Sequence, residues 1–442
     1  MSHPFSQTGK LTFEELLHQL QTVSAQLPDQ RTGDTIYKMS DAALGAFSIF
    51  FTQSPSFLEF QRMLEKAKGS SNAQTLFNMV NIPSDNHIRN LLDPVEPTHF
   101  NPVYRYITER FQELGQLEPY RHINGDLLVA LDGTQYFSSA KICCKNCSVT
   151  QHKNGKITYS HTAITPVILA PGNPRVLPLE PEFITPQDGD EKQDCENKAA
   201  KRWLIQQGSH LKKLGVTILG DDLYCNHPIC EAILKEGLNF ILTCKPDSHK
   251  TLYEWIDYLE KTKALQEIER SYRKGKYSYT DKYRFTNKVP LRDTKDSLEV
   301  SWCELTTVRD DGKVTYHNSF ATNHSITKEN VEKIVKAGRA RWKIENENNN
   351  TLKTKGYHLT HNFGHGKENL STVMASLNLL AFLFHTTLEL MDSKYQAIRN
   401  YLPRIVFFEH IRALTQYISF NSLDELLSFM MKGLELKIND TS

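Results

Sequence analysis

The sequence has almost no net charge, no internal repeat and no low-complexity linker. Its 52 Lys and Arg face 51 Asp and Glu, leaving a formal charge of +1. The chain as a whole therefore does not attract a polyanion, and any contact with nucleic acid must rest on local patches. Apolar residues make up 39% of the chain, a little low, and charged residues 23%, as in soluble globular proteins. No leader-type segment is read in the polar N-terminal residues. The eight cysteines are accordingly expected in a reducing compartment, free or metal-bound rather than paired. The most apolar segment, 372–391, carries Asn378, His385 and Glu389; a buried amphipathic helix is expected there, not a membrane span. The length, 442 residues, is ample for a core and admits one large or two to three ordinary domains.

Residues 1 to about 120 read as helical. Phe13, Leu16, Leu17, Leu20, Val23 and Leu27 recur at helical spacing. Ser40 can cap a helix into Phe51, and Ser54-Pro55 opens another through Leu58, Phe60 and Met63. Ser84-Asp85-Asn86-His87 precedes a short segment, Ile88 to Leu92, which suits either a small helical bundle or a helix-turn-helix. From Asp126 the pattern changes. DLLVALDGTQ is a buried-strand run ending at Asp132; 160–171 and 175–186 read as two more strands; 194–214 reads as a helix. GVTILGDDLY is a strand ending in Asp221 and Asp222, followed by a short helix with Gly237 past its end and a strand over 239–244. The order is that of a mixed α/β sheet with a hairpin start.

Residues 247–327 interrupt that order with a hairpin turning at Asp310-Asp311-Gly312. Ahead of it, Arg273, Lys274, Lys276, Lys282 and Arg284 interleave with Tyr272, Tyr277, Tyr279 and Tyr283. The mixture suits a phosphate backbone with stacked bases or sugars; a solvated strand explains it too. Thr327 can cap the next helix, and further helices are expected over 368–391, 397–418 and 422–434.

The segment from Arg341 to Lys367, RWKIENENNNTLKTKGYHLTHNFGHGK, has a composition that no core requires. Arg341 and Glu345 share a helix face. Asp132 and Asp221 end two separate strands. Taken singly, these are a turn Asp-Gly, a loop or cap, and an i,i+4 partner. Converging, the three acids would repel one another unless a divalent cation neutralised them, which is the arrangement two-metal phosphoryl chemistry uses. Asp222 and Glu347 are the rival acids; Glu347 lies about 200° around a helix from Glu345.

LDGTQY, ILGDDLY (read as Gly-Asp-x-Leu-Tyr) and RWKIE followed by Lys353-Thr354 together resemble the DDE-type cut-and-paste transposases of bacterial insertion sequences. The group resembled carries a β-strand insertion between the second Asp and the Glu, and a Tyr-Arg-Glu-Lys signature. The resemblance covers about 126–391. It implies a ribonuclease-H-like mixed-sheet core in which Asp132, Asp221 and Glu345 hold two Mg²⁺ or Mn²⁺ ions. It implies nicking at transposon ends and joining of the freed 3′-hydroxyl to other DNA, with Arg341 and Lys353 on phosphates. The implied architecture is an N-terminal helical, DNA-end-binding domain (1–120), a core in two parts (121–246 and 328–391), a β-rich insertion (247–327) and C-terminal helices (392–442) suited to dimerisation. The partners would be double-stranded DNA, as terminal repeats and target, and a second copy on that DNA, in a bacterial cytoplasm with no membrane. The signature Tyr is Gly338 here, and the signature Lys position is Leu352, with Lys353 and Lys355 nearby. A metal-dependent nuclease, or a domesticated DNA-binding protein without strand transfer, is the alternative.

Cys144 and Cys147 form a C-x2-C, and His152 and His161 flank an NGK turn signal. Two thiolates and two imidazoles on adjacent strands would make a structural zinc clip; free core thiols are the simpler reading. His361, His365 and Lys367 lie in a glycine-containing turn and suit either DNA phosphate or capping.

Overall fold

A computed structural model describes residues 10–55, 71–186 and 195–437; most of the helix expected from Ser54 through Met63 lies outside these. Among the described residues, five α-helices come first: α1 (Phe13–Ser24), α2 (Met39–Phe51), α3 (Asn72–Phe77), α4 (Asp85–Leu92) and α5 (Asn101–Glu113). Thr12 starts α1 with a capping box, its Oγ1 accepting from Glu15 N while the Glu15 carboxylate accepts from Thr12 N. Helix α2 is buried on every face. Helix α4 buries Ile88, Leu91 and Leu92, and its Arg89 donates to the Phe363 carbonyl at 3.0 Å.

The strands follow: β1 (Leu127–Ala130), β2 (Gly133–Ser139), β3 (Ser148–Gln151), β4 (Ile157–Ile164), β5 (Val167–Leu169), β6 (Leu177–Pro178) and β7 (Glu182–Ile184). Then come α6 (Glu196–Leu214), β8 (Val216–Gly220), α7 (His227–Lys235), β9 (Asn239–Thr243), α8 (Lys250–Lys261) and β10 (Gln266–Lys274). Strands β11 (Tyr277–Pro290), β12 (Glu299–Arg309) and β13 (Val314–Thr322) precede α9 (Val331–Ala340), a π-helical turn (Ile344–Asn349) and α10 (Asn350–Thr354). The chain closes with α11 (Leu370–Met391), α12 (Ser393–Tyr401), α13 (Arg404–Tyr417) and α14 (Leu423–Gly433).

The protein is a mixed α/β fold around a nine-stranded sheet of order β10-β11-β12-β13-β9-β8-β1-β5-β6. Strands β1, β8 and β9 are mutually parallel; β5 and β6 on one side and β13 on the other are antiparallel to their neighbours. The 247–327 region thus extends the same sheet, Phe320 pairing with Thr243. A smaller sheet, β2-β4-β3 with β7 on β4, stands beside it. The expected single strand over 160–171 is two strands in two sheets, β4 and β5, broken at Thr165-Pro166. Pro166 has no N–H for a ladder and restricts the residue before it. The expected 175–186 strand divides the same way into β6 and β7.

Helix α11 is long and apolar enough to cross a membrane by length and composition, yet it is enclosed by the fold. It is buried on all sides up to Leu388 rather than amphipathic. Two of its polar residues bond internally: Asn378 donates to the Tyr357 carbonyl at 2.8 Å, and His385 Nδ1 lies 2.6 Å from the Tyr357 hydroxyl. Phe47 of α2 packs on Phe384 of α11, ring centroids 4.8 Å apart. One continuous apolar core runs from Leu11 to Met431, so the N-terminal helices and the sheet share it.

Candidate active site and metal centre

Strands β1 and β8 are parallel neighbours in register, Ala130 opposite Leu219. Two residues further along each strand come Asp132 and Asp221, so the acids leave adjacent strand ends level with each other. At Asp132 the chain passes from the large sheet to the small one. Asp132 O accepts from Thr165 N (3.1 Å) and its Oδ2 accepts from Asn349 Nδ2 (2.9 Å). Asn349 is fixed in turn by the Thr165 hydroxyl at 2.8 Å. The asparagines after Glu345 are therefore used inward: Asn348 and Asn349 are buried, and Asn349 clamps the first acid.

Burial pushes the Asp132 carboxyl up to about 7; Arg341 opposes this, while Glu196, Glu345 and Asp221 add to it. Four carboxylates thus act on one another at this end of the sheet. An oxygen-only donor set of high negative charge is the kind that hard divalent cations take, but Asp132, Asp221 and Glu345 are not among the described groups whose ligand atoms all lie within 4.8 Å of one another. Arg341 Nη2 donates to Glu345 at 2.8 Å, whereas its Nη1 is buried with no hydrogen-bond partner. Glu345 is about half exposed and Arg341 much less so, at 51% and 19% of their side chains.

The rival acids go elsewhere. Asp222 accepts from Lys245 N (2.7 Å) and the Ser248 hydroxyl (2.5 Å) and faces His249. Glu347 is absent from the charges acting most on Asp132. Glu196, which sequence reasoning missed, heads α6 and accepts from Gly133 N (3.0 Å) and the Tyr224 hydroxyl (2.7 Å). It ties the segment after Asp132 to the turn after Asp221. Two glycines mark close approaches. A Cβ at Gly220 would lie 2.9 Å from both Leu242 and Tyr224, and one at Gly338 would lie 2.6 Å from the Phe320 ring. The second contact explains why no tyrosine stands at Gly338.

The helix that carries Glu345 contains a π-helical turn. A π turn absorbs one extra residue into a helix, and here it spans Ile344–Asn349. Leu352 is fully buried in the core. Lys353 is half-buried; burial holds its ammonium below the usual lysine range, with Asp132 opposing, so Lys353 faces the acids. Lys355 is exposed at the end of α10.

The basic stretch is divided. Arg284 pairs with Glu304 (2.7 Å) and Glu260 (3.0 Å), and Lys282 with Glu269 (2.8 Å). Arg273, Lys274 and Lys276 surround the exposed β10–β11 turn, with no acidic partner among the described residues. Beside them Tyr272 and Tyr279 stack at 5.5 Å.

The sulfur cluster is a second centre. All eight cysteines are unpaired, and Cys144, Cys147, His161 and His365 bring their ligand atoms within 4.8 Å of one another. The fourth corner is His365, not His152. The latter lies at the far, exposed end of the β3–β4 hairpin, where its Nε2 sits 2.9 Å from the Thr158 hydroxyl. Sγ of Cys144 and Cys147 are 3.8 Å apart; both lie 3.4 Å from His161 Nε2, and Cys147 Sγ lies 3.5 Å from His365 Nε2. Tetrahedral zinc with Zn–S of about 2.3 Å and Zn–N of about 2.0–2.1 Å has edges of about 3.8 Å between sulfurs and about 3.5 Å from sulfur to nitrogen. The cluster can hold a metal ion, and its geometry and donor types are those of a structural zinc site. Burial pushes the Cys147 thiol up to about 12 and the His161 imidazole down to about 4. The histidine is thus neutral and ready to ligate, and a cation would offset the cost of thiolate.

His365 reaches the cluster because its turn is wrapped around Asp93, whose carboxylate accepts from the N–H groups of Lys367 (2.9 Å), Glu368 (3.0 Å) and Leu370 (3.1 Å). His361 and the Lys367 side chain remain exposed. The cluster therefore joins β4 to the loop between the Glu345 helix and α11.

No protein-family model matches the chain, and no curated protein matches it.

Proposed function

We propose that this chain is a DDE-type DNA transposase with a ribonuclease-H-like core, acting on double-stranded DNA through two divalent cations, Mg²⁺ or Mn²⁺. What supports the reading is that Asp132 and Asp221 leave level ends of adjacent parallel strands and that Asp221 and Glu345 both act on the Asp132 carboxyl. Support comes from the strand order β6-β5-β1-β8-β9, three antiparallel strands then two parallel ones, and from the Arg341–Glu345 pair. When bound, the cations would activate an attacking water or 3′-hydroxyl and stabilise the leaving oxygen. Asn349 orients Asp132, and Glu196 keeps the two strand ends together. Arg341, once its unpartnered Nη1 is uncovered, and the ammonium of Lys353 would meet phosphate oxygens. Arg273, Lys274 and Lys276 at the hairpin tip add backbone contacts, with Tyr272 and Tyr279 as a stacking surface. Two DNA ends call for two copies of the chain. The exposed Tyr401, Ile405 and Tyr417 of the C-terminal helices offer apolar surface for that contact. The working place is the bacterial cytoplasm, where the DNA is.

The test is cleavage and joining of a labelled duplex carrying the element's end, in Mg²⁺ or Mn²⁺, with wild type beside Asp132→Ala, Asp221→Ala and Glu345→Ala. Wild type should cut and join, and the variants should bind without reacting. Cutting without joining would favour the nuclease, and binding without cutting under either metal would favour the DNA-binding descendant.

A further inference from the structure

Cys225, Cys244 and His249 form another sulfur–nitrogen cluster, against the turn that carries Asp221. All three are buried, and their ligand atoms lie within 4.8 Å of one another. The fold brings them together from three places. Gly220 pairs with Leu242 across β8 and β9, so Cys244 stands level with Asp222 on the neighbouring strand end. Cys225 closes the turn after β8, in which Tyr224 N donates to Asp221 O and Cys225 N to Asp222 O, both at 3.2 Å. His249 immediately precedes α8. Its Nε2 is buried and has no hydrogen-bond partner, although Asp222 Oδ1 is 3.3 Å away. The Asp222 carboxylate is held toward it by Lys245 N and the Ser248 hydroxyl.

We propose that Cys225, Cys244 and His249 bind a Zn²⁺ ion, separate from the Cys144 centre, with Asp222 as the carboxylate beside the imidazole. Two thiols and an imidazole favour zinc over the hard cations that carboxylates hold. Their ligand atoms, all within 4.8 Å of one another, would take up tetrahedral edges of about 3.5–3.8 Å on the ion. Each thiol gives up its proton to solvent as its sulfur joins the metal. Contact with Cys244 and burial hold the Cys225 thiol well above the usual range, a cost that the cation offsets. The ion would fix the Asp221 turn to the end of β9 and the start of α8. This assigns Asp222 a place beside the soft metal and leaves Asp221 to the acids. The consequence for catalysis rests on the proposed role of Asp221; the metal content does not.

The test is zinc content of the full chain, loaded with zinc and desalted, by elemental mass spectrometry. Wild type should hold about two zinc ions per chain, and Cys225→Ser and Cys144→Ser about one each. Asp132→Asn should keep both, so a failed transposase reading leaves this result legible. Co²⁺ loaded into Cys144→Ser, which leaves the second cluster unaltered, should give tetrahedral bands and a thiolate charge-transfer band. The proposal is overturned if wild type holds one zinc that Cys144→Ser loses and Cys225→Ser keeps, or if Co²⁺ in Cys144→Ser shows no sulfur band. Fewer than eight free thiols in denatured, unreduced protein would overturn it in favour of a Cys225–Cys244 disulfide.

Discussion

The carboxylate end of the sheet, proposed above as a cation site, and the Cys144 cluster, which can hold a metal ion, are built on opposite terms. The sulfur cluster is buried, its ligand atoms already stand at tetrahedral spacing, and its two imidazoles are neutral. It asks for a metal as a part of the fold. The carboxylate end gathers Asp132, Asp221, Glu345 and Glu196, which repel one another, and Glu345 is half open to solvent. Its cation would be exchangeable and would have room for substrate oxygens. A cation in the sulfur cluster would hold segments together; one at the carboxylate end would serve chemistry. Each centre takes ligands from elements on both sides of the sheet insertion.

That contrast yields predictions, the largest first. Cys147→Ser removes a buried ligand from a site whose metal contributes on the order of 10 kcal/mol. Thermal unfolding should start more than about 10 °C lower, and a zinc chelator should do the same to wild type. Asp132→Asn should reverse the pattern. Metal-dependent DNA cleavage should fall by roughly 10³-fold, while the unfolding midpoint does not drop and zinc stays bound. A variant that lost zinc as well as cleavage would show that the two centres are not separate.

Glu180 serves as a buried acid outside both centres. Burial pushes its carboxyl up to about 7, with Arg105 Nε 3.7 Å away. Between about pH 4.5 and 7 the native state holds a proton that the unfolded chain has lost, so this group's stability contribution falls as pH rises. Glu180→Gln should remove up to about 3 kcal/mol of that slope in denaturant titrations at several pH values, with no response to Mg²⁺. The smallest effect concerns His152. His152→Ala should leave zinc affinity unchanged in a competition titration, whereas His365→Ala should weaken it by on the order of 10²-fold. The opposite order would return His152 to the site.

The sequence carried some of this clearly. Asp132 and Asp221 stand out because each ends a short, nearly continuous apolar run, and such runs become central parallel strands. Arg341 and Glu345 stand out through their four-residue spacing. Other features depended on long-range geometry. His365 lies far from His161 in the chain, and only the turn around Asp93 carries it to the sulfurs. Glu196 has no local signal, being the first residue of an ordinary helix. Leu352 is buried and Lys353 comes under the influence of Asp132 after a π turn, which a fixed 3.6-residue period cannot anticipate. Helix α11 looks amphipathic from Asn378 and His385, yet both are buried in the core, where each meets Tyr357. Arg284 reads as a DNA cation, but Glu304 and Glu260 claim it.

The most direct test of the division between the two centres is Mn²⁺ binding, followed by electron paramagnetic resonance on zinc-loaded protein. The account predicts that wild type takes up Mn²⁺ without releasing zinc, and that Asp132→Asn, Asp221→Asn and Glu345→Gln each lose the Mn²⁺ and keep the zinc. Equal Mn²⁺ binding by wild type and all three variants would contradict it, and with it the assignment of these acids as the cation ligands of a phosphoryl-transfer site.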